Sequence, residues 1–224
     1  MEKSRSLVAV LLLASLLMWG AGLGYGQDSH PVTHRQFSDV SGGPDWLARA
    51  EREAEEQPEK ALDALEIAKG STVADVGCAN GYMTVRLARR VGLQGTVYGE
   101  DIQPQMLNLM IRNAKAQGLD NIKPVLGTDR ETKLPKESID LIILVDVYHE
   151  FQHPQDMLRS MREALKPGGR MVLFEYRAED PKVMIRELHK MTVAQTRAEI
   201  EPEGFRFDKS IETLPMQHLI IFRK

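Results

Sequence analysis

The sequence predicts a doubly wound α/β sheet, built mainly of parallel strands, over most of its 224 residues. From residue 71 onward, apolar runs of strand length alternate with amphipathic runs of helix length. Repeated strand–helix–strand units favour parallel strands with helices on both faces of the sheet. One strand is apolar on both faces, as expected at the centre of such a sheet, and the first strand runs into a glycine-bearing turn.

Four strands and two helices follow from the first half of this pattern. The strand "STVADVG" precedes the amphipathic helix "GYMTVRLARRVG", which Gly92 ends. The strand "GTVYGEDI" precedes the helix "PQMLNLMIRNAKAQG", which Pro104 begins and Gly118 ends. "IKPVLG" is a weaker strand that contains proline, and "SIDLIILVDV" is the central strand.

The second half of the pattern predicts three more strands. "PQDMLRSMREALKPGG" is a helix with its stop signal, and "RMVLFEY" is a strand. The segment "PKVMIRELHKMTVAQTRAEIEPEG" is predicted to be helical and precedes the last two strands, "FRFDKSIETLP" and "QHLIIFRK". Upstream of the first strand, "WLARAEREAEEQPEKALDAL" predicts a helix interrupted at Pro58.

The N-terminal residues have the pattern of an export signal. Lys3 and Arg5 precede an uncharged apolar run over residues 7–19, and small residues follow it. Residues 1–26 are therefore predicted to be a signal peptide or, if they are retained, a membrane anchor. Residues 27–45 are polar and rich in turn formers and are predicted to be a linker, and residues 46–224 form the folded domain. We expect that domain to be exported, either periplasmic or secreted, or tethered to a membrane.

The composition limits the partners and the covalent chemistry. The net charge of −3 includes no basic excess, so nucleic acid is not an expected partner. Cys78 is the only cysteine, so no internal disulfide can form and the core must be stable without one. No pattern predicts the oligomeric state.

The turn after the first strand predicts a ligand that is not bound through phosphate. In doubly wound sheets, ligands bind beyond the carboxyl ends of the strands. A dinucleotide turn, G-x-G-x-x-G, would place its third glycine where this chain has the bulky Tyr82. A P-loop needs a Gly-Lys-Ser/Thr sequence, which is absent here. Three carboxylates, Asp101, Asp129 and Asp146, also follow predicted strand ends and would lie around the same rim.

The segment from Asp75 to Gly81 resembles motif I of the class I S-adenosylmethionine-dependent methyltransferases, D/E-x-G-x-G-x-G. Ala79 replaces the middle glycine, and the resemblance continues in order and spacing from Gly70 to about Tyr176. It implies a Rossmann-like sheet of seven strands in the order 3-2-1-4-5-7-6, with an antiparallel last hairpin. It also implies S-adenosylmethionine as cofactor and methyl transfer to a small molecule, as in the ubiquinone and menaquinone biosynthesis members of the family.

The resemblance also implies which residues bind the cofactor. Asp101 would hold both ribose hydroxyls, with Glu100 as the less favoured alternative. Ile102 would lie against the adenine, and Asp129 would accept from the adenine amino group. The complete implied set is Asp75, Gly77, Ala79, Gly81, Asp101, Ile102, Asp129 and Asp146. Residues that leave the fourth strand would stand near the transferred methyl group. His149 is therefore the predicted base, with Asp146 or Glu150 to orient it.

Two alternatives remain beside this interpretation. "HEFQH", residues 149–153, has the letters of a zinc protease motif, but Pro154 disfavours the continuous helix that such a site needs, so no metal site is predicted. The second alternative is an exported, noncatalytic binding protein that retains the methyltransferase fold. Export favours this alternative because S-adenosylmethionine is made inside cells, whereas the acidic rim favours the enzyme.

Overall fold

The structure, a computed structural model, describes residues 29–36, 49 and 51–224 of the chain. The predicted leader, residues 1–26, lies outside the described residues, as does most of the predicted linker. None of the helices in the described part has the length and apolar character that crossing a bilayer requires.

The elements follow the predicted alternation of strand and helix. The strands are β1 (Thr72–Val76), β2 (Thr96–Asp101), β3 (Ile122–Leu126), β4 (Ile139–Val145), β5 (Leu165–Arg177), β6 (Lys190–Met191), β7 (Arg206–Ile211) and β8 (Gln217–Arg223). The α-helices of the described residues are α1 (Arg52–Glu56), α2 (Pro58–Ala64), α3 (Tyr82–Val91), α4 (Pro104–Ala116), α5 (Pro154–Ala164) and α6 (Val193–Ile200). Short 3₁₀ turns occupy Tyr148–Glu150, Glu187–His189 and Glu201–Glu203.

The sheet has the predicted topology, with one additional strand. Its order is β3-β2-β1-β4-β5-β8-β7, and the two-residue β6 pairs in parallel with the end of β5. The pairs from β3 to β5 are parallel, and β8 is antiparallel to both β5 and β7. The predicted order and the antiparallel last hairpin are therefore confirmed, and β6 only changes the numbers of the hairpin strands.

The sheet is buried on both faces because its central strands are apolar on both faces. Val73 and Leu141 belong to the core on one face, together with Leu87 of α3. Ala74 and Ile142 belong to the core on the other face, where α5 and α6 pack. Alternating side chains of β1 and β4 thus pack into two separate cores. This packing on both faces holds the carboxyl ends of the two strands in place at one edge of the sheet.

The predicted long helix after β5 is wrong over most of its length. Only Val193–Ile200 is α-helical, and residues 178–186 form turns and irregular backbone. The helix begins late because the Thr192 side chain accepts a hydrogen bond from the backbone N–H of Gln195, as an N-cap does. Before this helix, Lys190 and Met191 pair with the last two residues of β5. This pairing holds the residues that precede Lys190 near the carboxyl end of β5.

Part of the predicted linker lies against the domain. In residues 29–36 a single bridge joins Ser29 to Gln36, and the side chains of His30 and Arg35 are buried. The Arg35 guanidinium donates to both carboxylate oxygens of Glu199, over 3.2 and 3.1 Å, and to the carbonyl oxygen of His149 over 2.8 Å. The segment thus packs behind the loop that follows β4. The domain boundaries themselves stay a prediction.

Candidate functional site

A cavity of about 280 Å³ lies beyond the carboxyl ends of the central strands. Loops after β1, β2, β3 and β4 line it, together with α1 and the 3₁₀ turn before β6. In the sheet, β2 lies next to β1 on one side, and β4 lies next to β1 on the other side. The cavity therefore occupies the point where the strand order reverses, which is where doubly wound sheets bind ligands.

The turn after β1 requires glycine at its first position. Gly77 has φ 72°, and a Cβ atom there would lie 2.6 Å from Cγ2 of Val147. The backbone N–H groups of Gly77 and Cys78 both donate to the carbonyl oxygen of Glu100, each over 2.9 Å. Ala79 has φ 48°, so the position where the family motif has glycine keeps the left-handed backbone at some cost in strain. Gly77 and Ala79 both line the cavity.

Asp101, the last residue of β2, is held in one orientation at the cavity wall. Its Oδ2 atom accepts from the N–H of Ala79 over 2.9 Å, and Oδ1 accepts from the N–H of Gln103 over 2.8 Å. Burial raises the pKa of Asp101, although these backbone N–H groups oppose the increase. Each carboxylate oxygen keeps a further acceptor site, so the pair can accept from two neighbouring hydroxyl groups.

Glu100 also lines the cavity, but its side chain is buried and lies against a different loop. A Cβ atom on Gly127 would lie 1.7 Å from Glu100 Oε1, so the carboxyl group occupies the space beside that glycine. Oε1 has no hydrogen-bond partner among the described residues. Burial, reinforced by the charge of Asp101, raises the pKa of Glu100 to about 8. This carboxyl group is therefore mostly neutral near pH 7, unlike an exposed glutamate.

Two more acids follow β4 and face the cavity. Asp146 has φ 55°, and its Oδ1 atom is buried with no hydrogen-bond partner in the described part of the chain. Burial raises the pKa of Asp146 to about 7 and that of Glu150 to about 7. Both residues line the cavity. An acid whose charge is poorly solvated favours a ligand that brings a positive charge or a hydrogen-bond donor.

His149, the predicted base, lies behind the cavity wall and does not line it. It is completely buried, with Nδ1 2.7 Å from Glu175 Oε2 and Nε2 3.1 Å from Nδ1 of His189. Burial alone lowers the pKa of His149, but the carboxylates around it, Glu175 first, raise it to about 9. His189, to which the sequence assigned no role, is the histidine that lines the cavity. The predicted position of His149 at the cavity is therefore wrong, and its hydrogen-bonded neighbour His189 lines the cavity instead.

The "HEFQH" segment is not one helix. Tyr148–Glu150 form a 3₁₀ turn, and α5 begins only at Pro154. His153 faces another partner, with its Nε2 atom 3.4 Å from Asp129 Oδ2. The two histidines therefore do not share a helix face, as the sequence analysis predicted from Pro154.

The remaining predicted residues divide between the rim of the cavity and the support of the turn. Ile102 and Asp129 line the cavity, and Ile102 keeps 49% of its surface exposed. Asp75 does not line it, because its buried carboxylate accepts from the Thr84 hydroxyl over 2.5 Å. Gly81 does not line it either: it has φ 85° and is the N-cap residue that precedes α3. Asp75 and Gly81 shape the turn and do not line the cavity, and their contact with a cofactor stays a prediction.

The helix α1 contributes a buried ion pair to the cavity wall. Arg52 Nε lies 2.8 and 2.9 Å from the two carboxylate oxygens of Glu56, and both residues line the cavity. The Arg52 guanidinium also lies over the ring of Tyr82, 3.9 Å from its centre. An i, i+4 pair of this kind is common on exposed helix surfaces, so the spacing alone does not indicate that the pair is buried.

The fold and the cavity together define a class of protein, a doubly wound α/β domain that binds a ligand with an anchored acid at the end of its second strand. Residues 67–212 match the family described as "Methyltransferase domain". The chain therefore belongs to the methyltransferase domain family.

Similar proteins agree with this assignment. A demethylmenaquinone methyltransferase of Geobacillus stearothermophilus is 28% identical over 151 residues, which are 66% of this chain and 64% of that protein. The chain thus spans somewhat less than two thirds of that relative. The crystal structure of a SAM-dependent methyltransferase from Aquifex aeolicus has a TM-score of 0.74 at 23% identity, over 79% of this chain and 94% of that one. A possible exported protein of Bordetella parapertussis has a TM-score of 0.57 at 23% identity, over 81% and 69%. The two structures establish the fold.

Proposed function

We propose that this protein is an S-adenosylmethionine-dependent methyltransferase that acts on a small molecule. The observation that carries the proposal is the anchored carboxylate of Asp101, held beside the Gly77–Ala79 turn at the switch point of the sheet. Asp101 would accept from the ribose hydroxyls, the turn would face the methionine part, and Ile102 and Asp129 would lie beside the adenine. Bound S-adenosylmethionine supplies an electrophilic methyl group on a positively charged sulfur.

The charge of the cavity suits this cofactor. Six acids line the cavity: Glu56, Glu100, Asp101, Asp129, Asp146 and Glu150. The basic side chains among the described lining residues are Arg52, which is bonded to Glu56, and His189. A sulfonium ion would offset the repulsion between these acids, among which Asp146 has a buried Oδ1 atom with no hydrogen-bond partner among the described residues. A dinucleotide, with its two phosphate charges, would be repelled.

We predict that the protein binds S-adenosylmethionine more tightly than S-adenosylhomocysteine, and that the difference depends on pH. Asp146 and Glu150, whose pKa values are both about 7, gain negative charge as pH rises through that value. The affinity for the sulfonium ligand should therefore rise about tenfold from about pH 6 to about pH 8, with release of protons on binding. Titration calorimetry in buffers of different ionisation enthalpy measures both quantities.

The neutral thioether of S-adenosylhomocysteine is the matched control ligand, because it differs at the sulfur alone. Its affinity should change much less over the same range. Equal pH dependence of the two ligands would contradict the role of the acids. Tight binding of NAD with no binding of either sulfur ligand would contradict the proposed function itself.

For the acceptor, we propose a small aromatic molecule of the type named for the relatives, demethylmenaquinone. Apolar side chains line part of the cavity, among them Met106, Val145, Val147, Phe151 and Met157. Such a surface suits a flat ring and places it by burial of apolar area. Incubation with reduced demethylmenaquinone and methyl-labelled cofactor, followed by extraction of the labelled product, tests this choice.

A second candidate function is ligand binding without catalysis outside the cytosol. The predicted leader favours it, and one protein of similar fold is described as possibly exported. The same experiment separates the two candidates. A protein that retains bound cofactor or its demethylated product and labels no acceptor supports the binding protein, and labelled product supports the enzyme.

We propose further that residues 1–26 direct the chain out of the cytosol. The N-terminus of protein from its source cell should then lie near Gln27, just before the docked residues 29–36, or a retained leader should place the chain in the membrane fraction. N-terminal sequencing of fractionated cells distinguishes these outcomes. Full-length chain in the soluble cytosolic fraction would contradict both.

A further inference from the structure

Three side chains form a hydrogen-bonded chain from the interior of the sheet to the cavity wall. Glu175 on β5 and His149 in the 3₁₀ turn after β4 are both completely buried, with 2.7 Å between Glu175 Oε2 and His149 Nδ1. His149 Nε2 lies 3.1 Å from His189 Nδ1, and His189 lines the cavity. The three residues come from three separate elements, so the fold itself brings them into line.

The order of the three groups fixes where the protons lie. A carboxylate can only accept, so the Nδ1 atom of His149 carries the proton that it donates to Glu175. The Nε2 atom of His149 then faces Nδ1 of His189. A buried carboxylate orients a histidine in the same way in catalytic triads. Here the group beyond the oriented histidine is a second histidine at the cavity wall.

We infer that His189 is the base that removes the proton of the methyl acceptor, and that His149 and Glu175 are positioning residues that orient it. This inference rests on the proposed methyl transfer. The acceptor loses its hydroxyl proton to Nε2 of His189, and the electrons released form the new bond to the methyl carbon. The bond from that carbon to sulfur breaks with its electron pair staying on sulfur. The proton on His189 then passes to water.

The surrounding charges indicate the class of acceptor. Asp146 and Glu150 line the cavity together with His189, and one carboxylate oxygen of Glu150 lies within 4.8 Å of a His189 ring nitrogen. An acceptor that arrives at His189 as an anion would therefore be repelled. A thiolate or carboxylate acceptor would also need no base. The arrangement therefore favours an uncharged acceptor that still carries its proton, such as a hydroxyl group on an aromatic ring, which becomes nucleophilic only after deprotonation inside the site.

The reaction should have a pH dependence that the pair of histidines determines together. Charged groups face His149 from every side: Glu175 on β5, Asp146 at the end of β4, Glu150 in the same turn, and Arg35 at its carbonyl oxygen. When His149 is protonated at both nitrogens, it donates to Nδ1 of His189, whose own proton is then on Nε2. His189 becomes a base only when the pair loses one proton. The rate of transfer should therefore rise with pH to a plateau, and its apparent pKa belongs to the pair.

The test uses the full chain and four variants: His189→Gln, His149→Asn, Glu175→Gln and, as control, His218→Gln. His218 is also a buried histidine, bonded through Nε2 to the Met191 carbonyl, and it does not line the cavity. The probe acceptor is naphthohydroquinone, kept reduced, with methyl-labelled S-adenosylmethionine. His189→Gln should lower kcat by about 10²–10⁴-fold with nearly unchanged cofactor affinity.

The positioning residues have a readout that a merely structural role would not change. Glu175→Gln removes the charge that most raises the pKa of His149, so the rate profile should shift to lower pH, whereas His218→Gln should leave it in place. NMR titration of the histidine ring nitrogens, with S-adenosylhomocysteine bound, needs no acceptor. His149 and His189 should titrate together, and Glu175→Gln should shift both.

Three outcomes would overturn the inference. One is a His189→Gln variant that retains the wild-type rate, and another is independent titration of the two histidines. The third is stoichiometric zinc that His189→Gln removes, because the ligand atoms of His149, Glu150 and His189 lie within 4.8 Å of one another. Failure of the proposed function gives a different result, because the wild type itself would then label no acceptor or would bind neither S-adenosylmethionine nor S-adenosylhomocysteine.

Discussion

Replacing Glu199 with alanine should lower the free energy of unfolding by about 3–5 kcal/mol, because it takes the carboxylate from a buried ion pair. Glu199 is 1% exposed and accepts from Arg35 through both oxygens, over 3.2 and 3.1 Å. The Thr33 hydroxyl also donates to it, and His30 Nε2 lies 3.5 Å away. Urea unfolding of the chain that begins at Gln27 measures the change.

Glu201→Ala is the matched control for this prediction. Glu201 lies two residues away, is partly exposed and pairs with Arg197 over 3.2 Å at the surface. Its loss should cost less than about 1 kcal/mol, as for most surface ion pairs. Removal of the residues up to position 36 should destabilise the domain as Glu199→Ala does, since it also separates the pair. Equal effects of Glu199→Ala and Glu201→Ala would mean that residues 29–36 do not contribute to the stability of the domain.

The sequence predicts the sheet well because local and long-range requirements agree there. Val73 and Ile142 belong to near-continuous apolar runs, which indicate strands that are buried on both faces. Both residues are completely buried at the centre of the sheet. Pro104 and Pro154 are the first residues of their helices, where a missing backbone N–H costs no hydrogen bond. Such signals act over a few residues and are independent of the rest of the fold.

The helix predicted after β5 shows where the same reasoning fails. Met184 and Leu188 have the four-residue spacing of an apolar helix face, yet they are 87% and 47% exposed. These two side chains do not pack into a core, and a helix with an apolar face needs such packing to be stable. The pairing of Lys190 and Met191 with β5 is a long-range contact, and no local pattern indicates it.

The candidate site divides in the same way. Asp101 and Asp146 could be predicted because parallel strands end at one edge of the sheet, and acids placed there must meet. The orientation of the side chains after β4 could not be predicted from the sequence. In a 3₁₀ turn, neighbouring side chains point about 120° apart, so Glu150 faces the cavity while His149 is buried. His189 arrives from a segment with no predicted relation to the site, and geometry alone reveals it.

Asp101→Ala should weaken the binding of S-adenosylmethionine by about 1–3 kcal/mol, since two ribose hydroxyls would lose a charged acceptor. Part of the loss has a second cause, because the N–H of Ala79 also loses its acceptor and the turn becomes less firmly held. Asp101→Asn separates these causes. Its side-chain oxygen can still accept from Ala79, so the turn keeps its anchor while the charge is lost. An intermediate affinity is therefore expected, measured by titration calorimetry.

Glu100→Gln is the control, because Glu100 is the neighbouring acid of the same strand and lines the same cavity. With its pKa raised to about 8, the Glu100 carboxyl group is mostly neutral near pH 7, and an uncharged amide of the same shape replaces it with little loss. If Glu100→Gln weakened binding more than Asp101→Asn, the ribose would be held by Glu100. The hydrogen bonds from Ala79 and Gln103 to Asp101 would then serve only to shape the turn, and the cofactor would lie on the side of β2 that faces Gly127.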